Sequence, residues 1–467
     1  QNAKFTSEDG VLIGENGTAL LYFPAAKRAE NYQIPAGITR IGEGAFLSVS
    51  GLTGELILPG RVTSIGTAAF ADCAKLTAVT FEEGLSDVTI GDYAFAYTGI
   101  SVITFNEGSR ITGIGADAFA KDDTYDKVDD EKELILPATL TSVGDRAFSG
   151  FGSLVVTIEE GTAPLSFGND VFYDCYISSL TLPANVTALP NFFGGLSVEE
   201  ILVSEGNKAF VSVEGVLYSK NADGNPGVLL VYPSGKSDES FTIPGTVTAI
   251  ADGAFKYHSD LSEITIPASV TSIGKEAFRE SSLTAVTFED GDKKLTIGDY
   301  AFCGTSIASV ELPARAQKLG EYALADMSQL SVLTLGGIET IGAHAFEETG
   351  NWRGLNIVIP ATVTEIGDFA FNEAENVESI TFEGGSALRT IGAYAFAETG
   401  ITEFTVPGSV ETIGSFAFAD CSYLESLSFE EGDADLIFGV PYQGEYGMRY
   451  GHVIDGTGIK ELHLPAR

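Results

Sequence analysis

The chain has 467 residues and a formal net charge of −39, with 65 Asp and Glu against 26 Lys and Arg. That balance argues against phosphate-backbone binding and against attraction to an anionic membrane surface; it favours solubility, cations or a basic partner patch. Apolar residues make up 44% of the chain, enough for a folded core, and no run of about 18 apolar residues offers a membrane-spanning helix.

The first 35 residues read as a β-hairpin module. Val11-Leu12-Ile13, the turn Gly14-Glu15-Asn16-Gly17 and Ala19 to Phe23 supply two apolar runs about an Asn-Gly turn signal. Pro24, Pro35 and Phe46 follow at steps of 11 residues. The opening Gln1-Asn2-Ala3-Lys4, with neither Met nor an apolar signal region, reads as a trimmed form exported by a targeting segment outside this sequence.

From residue 36 a single unit recurs. Its centre is Ile65-Gly66-Thr67-Ala68-Ala69-Phe70, repeated with Phe at 95, 119, 148 and 172, so the steps are 24 to 29 residues. A fixed period in that range predicts a solenoid. In Leu76 to Phe95, Leu76, Val79 and Phe81 have the spacing of a strand with Thr80 facing out, Ile90 returns to the core, Gly91 permits a sharp bend, and Ala94 and Phe95 fill the coil. Eighteen strand centres follow at Gln33, Ile57, Thr80, Thr104, Ile135, Thr157, Thr181, Leu202, Thr242, Thr265, Thr287, Glu311, Thr334, Val358, Thr381, Thr405, Ser428 and His463. Ten are Thr, which suits a pleated surface and reads first as a structural ladder, second as a hydroxyl-lined binding face. An acidic insertion, Lys121 to Glu133, lacks the carboxylate spacing and central Gly of a calcium loop.

The opening module returns at 206–244. Phe210 to Tyr218 matches Phe5 to Ile13, Val231-Tyr232-Pro233 matches Tyr22-Phe23-Pro24, and Pro233, Pro244 and Phe255 again step by 11. The expected organisation is an N-terminal hairpin cap (1–35), a first array (36–205), an internal hairpin module (206–244), a second array (245–430) and an atypical capping tail (431–467), as one continuous solenoid rather than two free domains. Within the tail, the strand Leu462-His463-Leu464-Pro465 either closes the stack or leads into further chain.

Cys73, Cys175 and Cys421 each follow a spine Phe by three residues, and Cys303 follows Phe302 directly. Cys73 and Cys175 are four coils apart, roughly 19 Å at the strand spacing and beyond disulfide reach, so free and mostly buried thiols are expected. The four His, at 258, 344, 452 and 463, pair with no nucleophile motif, and no CxxC or Cys/His cluster is present. No enzyme, metal site or cofactor is expected.

One side-chain pattern rises above this background. Two residues before the spine Phe, the second array carries Tyr300, Tyr322, His344, Phe369, Tyr394 and Phe416, where the first carries Gly44, Ala68, Tyr93, Asp117, Arg146 and Asp170. At one coil spacing these rings form a stripe, either a packing ladder over the turn or an exposed platform for a glycan or extended partner, with Trp352 nearby in support.

The pattern Leu-x-x-Val-x-Phe/Leu-Pro…Val-Thr-x-Ile-Gly-x-x-Ala-Phe-x-x-Cys-x-x-Leu resembles the BspA-type, or Treponema-type, bacterial leucine-rich repeat over about residues 30–430. The resemblance implies a leucine-rich-repeat solenoid, mostly β with short helical or 3-10 turns, a parallel sheet on one face and two β-hairpin modules. It also implies a non-catalytic bacterial cell-surface or secreted protein, extracellular, in protein–protein interaction or adhesion, toward host matrix or bacterial surface protein. Glycan or cell-wall binding through the aromatic stripe, or a spacer with no ligand, are the alternatives; nucleic acid is not an expected partner.

Overall fold

The structure, a computed structural model, describes residues 4–121, 131–189, 193, 196–350, 354–432, 435–444, 447–449 and 451–463. The acidic segment 122–130 and Trp352 lie outside the described residues. The chain forms two compact units, residues 1–220 with 233–236, and residues 221–232 with 237–467.

In the first unit, the hairpin strands Thr6–Glu8, Val11–Gly14 and Ala19–Tyr22 run antiparallel. Ala19–Tyr22 then starts a parallel sheet of short strands, Arg40–Ile41, Ser64–Ile65, Val88–Ile90, Ile111–Ile114, Ser142–Val143 and Ser166–Phe167. Each ends at or just before the Gly of the Ile-Gly pair or of its variants Val143-Gly144 and Phe167-Gly168. The longer strands of the same repeats form the other face, Leu52–Leu58, Leu76–Phe81 and Val102–Phe105 in one sheet and Lys132–Leu136, Gly152–Ile158, Cys175–Leu182 and Ser197–Val203 in a second. A second antiparallel hairpin pairs Phe210–Val213 with Val216–Lys220.

The second unit repeats the arrangement. Its short strands run in parallel from Pro226–Val231 through Ala249–Ile250, Ser272–Ile273 and onward to Thr412–Gly414 and Ile437–Val440. Its long strands form four separate sheets, ending with Glu403–Val406, Ser426–Phe429 and Glu461–His463. The strand centres read from the sequence align in register, for example Thr242, Thr265 and Thr287, or Thr405, Ser428 and His463.

Between the two faces of each coil the spine rings stack. In the first unit Phe23, Phe46, Phe70, Phe95, Phe119, Phe148 and Phe172 lie 4.6 to 5.4 Å apart, centroid to centroid. In the second, Tyr232, Phe255, Phe278 and Phe302 stack at 4.8 to 4.9 Å, Leu324 interrupts the aromatic run, and Phe346, Phe371, Phe396 and Phe418 resume it at 4.8 to 5.4 Å. Phe23 and Tyr232 are the matched hairpin residues, so each hairpin supplies the first ring of its stack. These rings are almost wholly buried, and such stacking adds about 0.5–1.5 kcal/mol per pair beyond area burial.

The glycine of the Ile-Gly pair has a different role from the bend expected of Gly91. A Cβ at Gly91 would stand 2.8 Å from the Gly66 carbonyl carbon and the Thr67 nitrogen, so backbone approach between coils requires it. The left-handed positions lie elsewhere, at Ala68, Tyr93, Asp117, Arg146 and Asp170, with φ of 49 to 56°. The backbone N–H groups of Ala68, Tyr93, Asp117 and Arg146 donate to the next coil, as Ala68 to Asp92 at 2.9 Å and Tyr93 to Ala116 at 2.8 Å, which holds the strained conformation. These segments are hydrogen-bonded turns, and the described residues hold one 3-10 stretch, Glu15–Gly17.

The cysteines are free, with Cys73, Cys175 and Cys421 buried and Cys303 half-buried. Sγ of Cys73, Cys175 and Cys421 donates to the spine carbonyls of Phe46, Phe148 and Phe396 at 2.9 to 3.2 Å. Burial pushes the Cys73 and Cys175 thiols up to about 11 and about 12, away from reactive thiolate.

Candidate functional site

All six ring residues of the second array lie on one flank, at the turn that leads from the short strand to the spine Phe. Each has left-handed backbone, with φ from 54° at Tyr322 to 62° at Phe416. The backbone is held as in the first unit: Tyr300 N–H donates to Glu321 C=O at 2.7 Å, Phe369 to Ala393 at 2.8 Å and Tyr394 to Ser415 at 3.1 Å. With the backbone fixed, the side chains fall into one column.

That column is continuous. Tyr300 and Tyr322 stack at 4.6 Å, Tyr322 and His344 at 4.3 Å, His344 and Phe369 at 4.7 Å, Phe369 and Tyr394 at 4.6 Å, and Tyr394 and Phe416 at 4.8 Å, with planes within 20° throughout. All six are half-buried. Tyr442 from the tail stands edge-on to Phe369 at 5.3 Å.

Both ends are covered. The Arg279 guanidinium lies 5.2 Å from the Tyr300 centroid and Lys275 Nζ 5.9 Å from it, within cation–π range. At the other end Gly451 packs so closely on the Phe416 ring that a Cβ there would collide with it. The ring faces are therefore occupied by neighbours or caps, and the column turns only its edges outward. A sugar stacks on an aromatic face, so the geometry matches the packing-ladder reading better than the glycan platform.

The edges carry their own electrostatics. His344 Nδ1 is 3.0 Å from Glu347 Oε2. Burial, and then the Glu347 carboxylate, pushes the Tyr322 phenol up to about 12, and burial raises that of Tyr300. Two residues past the spine positions Leu324, Phe346, Phe371, Phe396 and Phe418 a second left-handed position carries Asp326, Glu348, Glu373, Glu398 and Asp420, all exposed. Burial, followed by the neighbouring carboxylates, raises Glu348 and Glu398 above the ordinary carboxylate range.

The broader exposed feature is the outward face of the long strands. In the first unit it carries Thr80, Thr104, Thr157 and Thr181 together with exposed Val102, Ile135 and Leu202. In the second it carries Thr242, Thr265, Thr287, Thr334, Thr381 and Thr405 with exposed Val332 and Val358. The threonines were legible as a row; the apolar positions among them become meaningful once exposure is known.

Of the histidines, His258 is buried and accepts from the Asp260 and Leu261 N–H groups, while His452 and His463 are exposed. No helix among the described residues is long and apolar enough to cross a membrane.

A family model described as BspA type leucine rich repeat region matches residues 22–131, 121–210, 234–353 and 339–436. No protein of curated function matches the chain. Among solved structures, the pneumococcal vaccine antigen PcpA is similar at 20% identity, covering 89% of this chain and 93% of that one, with a TM-score of 0.55. A leucine rich cell surface protein from Faecalibacterium prausnitzii shares 23% identity over 92% of this chain and 96% of that one, TM-score 0.47. A leucine-rich repeat protein from Eubacterium ventriosum shares 22% over 95% and 96%, TM-score 0.45. The likeness to PcpA is one of fold, and with matched repeats spanning most of its length this chain belongs to the BspA-type leucine-rich repeat family.

Proposed function

We propose that this chain is a non-catalytic cell-surface or secreted interaction protein that binds a protein partner on the outward face of its long strands. The observation that carries the reading is the mixed surface there, hydroxyls in register with exposed Val332 and Val358 in one unit and with exposed Ile135 and Leu202 in the other. Exposed branched residues on a rigid sheet give apolar contact area at little entropic cost, and the hydroxyls satisfy a partner's polar groups. Membership in a repeat family represented on bacterial surfaces supports the setting. Host matrix protein is the partner class favoured by the family, and the net charge of −39 favours one with a basic patch.

The test is a binding screen of the whole chain on immobilised matrix proteins and a glycan array, at low and high salt, with Val332→Lys and Val358→Lys alongside. Saturable protein binding that either substitution weakens supports the reading. Binding indifferent to both, or glycan binding removed by Tyr→Ala changes at 300, 322 and 394 without loss of stability, overturns it in favour of the turn flank. Silence on both arrays overturns it in favour of a spacer.

A further inference from the structure

The long-strand face of the second unit is interrupted. No ladder joins Ala285–Phe288 to Ser309–Glu311, Val332–Thr334 to Leu355–Ile359, or Val377–Phe382 to Glu403–Val406. At a continuous step, the residue after the strand donates to the last carbonyl of the strand before it, as Glu289 N–H to Ile266 at 2.9 Å, Glu383 to Ile359 at 3.0 Å and Glu430 to Val406 at 2.9 Å. At each interruption the equivalent residue, two past the strand centres Glu311, Val358 and Thr405, is proline, Pro313, Pro360 or Pro407, which has no proton to give. Pro267 occupies the same place on a strand that does pair, so proline weakens the step without alone opening it.

At the first interruption the sheet opens into a cleft of about 650 Å³, within the usual range of ligand pockets. Val286 and Phe288, whose register places them in the core, are half-buried there, whereas Ile264, Ile266, Val310 and Leu312 on either side are at most 3% exposed. The strands still meet at one end, Ala308 N–H to Thr284 C=O at 3.4 Å. The cleft lining includes Asp290 and Glu311 and no Lys, Arg or His. Nearby Arg315 is buried, its guanidinium spent on the carbonyls of Val270, Pro267 and Glu289.

We propose that this cleft takes an extended, basic peptide segment of a partner protein. Its backbone pairs with the open edge of Ala285–Phe288, its apolar side chains cover Val286 and Phe288, and its Lys or Arg side chains meet Asp290 and Glu311. An open strand edge is satisfied by an added strand. The lining charge selects a cationic segment and disfavours a second copy of this acidic chain. The inference rests on the protein-interaction reading and names where and with what chemistry that partner docks.

The test uses the full chain and a fluorescent (Lys-Val)4 peptide read by anisotropy. Controls are (Lys-Gly)4 of equal charge, (Glu-Val)4, and a (Lys-Val)4 with N-methylated valines that cannot donate. The expected result is saturable (Lys-Val)4 binding, weakened roughly tenfold or more by loss of the valine side chains, by N-methylation, by Ser309→Trp, which fills the cleft, and by Glu311→Lys. Unchanged urea midpoints certify that both variants fold, and Glu311→Lys alone decides if Ser309→Trp does not. Absence of (Lys-Val)4 binding up to about 1 mM, equal binding of (Lys-Gly)4, or indifference to both substitutions overturns the proposal. A matrix protein that binds the wild type and both variants equally removes the cleft while leaving the wider interaction reading intact.

Discussion

The same turn position is filled in opposite ways in the two units. In the first, Gly44, Ala68, Tyr93, Asp117, Arg146 and Asp170 occupy it, with Asp117 and Arg146 paired at 3.1 Å. In the second, six rings stack without a break. The backbone hardly notices: φ is 49 to 57° in the first set and 54 to 62° in the second, and N–H groups donate to the next coil in both. The repeat therefore demands a left-handed backbone there and leaves the side chain open. The unbroken column of rings is an addition to the second unit, and its stacking offsets a backbone cost of about 1–2 kcal/mol per residue.

That contrast can be broken from the inside. Phe95→Ala and Phe371→Ala each empty a fully buried spine position, and each is expected to cost about 3–5 kcal/mol in its own unit. Urea unfolding with hydrogen exchange resolved along the chain would read both. Equal losses show that the spine is shared architecture, and a marked inequality would mean that the column compensates in the second unit.

Next in size is the column itself. His344→Ala removes two stacked contacts and is expected to cost about 1–3 kcal/mol. Asp117→Ala at the matching place removes a partly exposed ion pair and should cost about 1 kcal/mol or less. If both prove near neutral, the rings are not a packing device and their edges warrant a ligand search.

A third pair works on the backbone. Ala68→Gly relieves a left-handed alanine and should stabilise the first unit by about 1 kcal/mol. Tyr394→Gly gains the same relief but loses two ring contacts, so its net effect is expected to be destabilising. Opposite signs in thermal unfolding would confirm that the turn tolerates a ring because the column holds it.

The smallest effect concerns the carboxylates along the second unit. Glu348 and Glu398 are raised by burial and then by neighbours that include Glu373. A raised acid binds its proton more tightly folded than unfolded, so stability grows as pH falls through the raised value and is lost as pH rises. Relative to a Glu348→Gln/Glu398→Gln variant, the wild type should gain stability on acidification from neutral toward the ordinary Glu range near 4.3, modestly because both groups are exposed. A pH-independent difference between the two would contradict that coupling.

Much of this was legible before any coordinates. Strand centres such as Thr265 and Thr287 could be placed because the side-chain period of two and the coil period coincide at every copy. Tyr232 could be matched to Phe23 from the hairpin, and both prove to start a stack. The tail was less legible. Ile437–Val440 continues the short-strand sheet with Phe438 beside Ile413, although it carries no Ile-Gly motif. The role of Gly91 was also hidden, because a close approach between coils is a property of the stack and not of one repeat.

The sequence by itself determined the solenoid, its register and the alignment of the six rings, since these follow from spacing alone. Only the tertiary structure decided that the rings meet face to face and are capped, because ring orientation depends on side-chain rotamers and on Arg279 and Gly451 from outside the motif. It alone opened the cleft beside Phe288. The proline that weakens that step is visible in sequence, but strand separation is set by packing across several coils, as Pro267 on a paired strand attests.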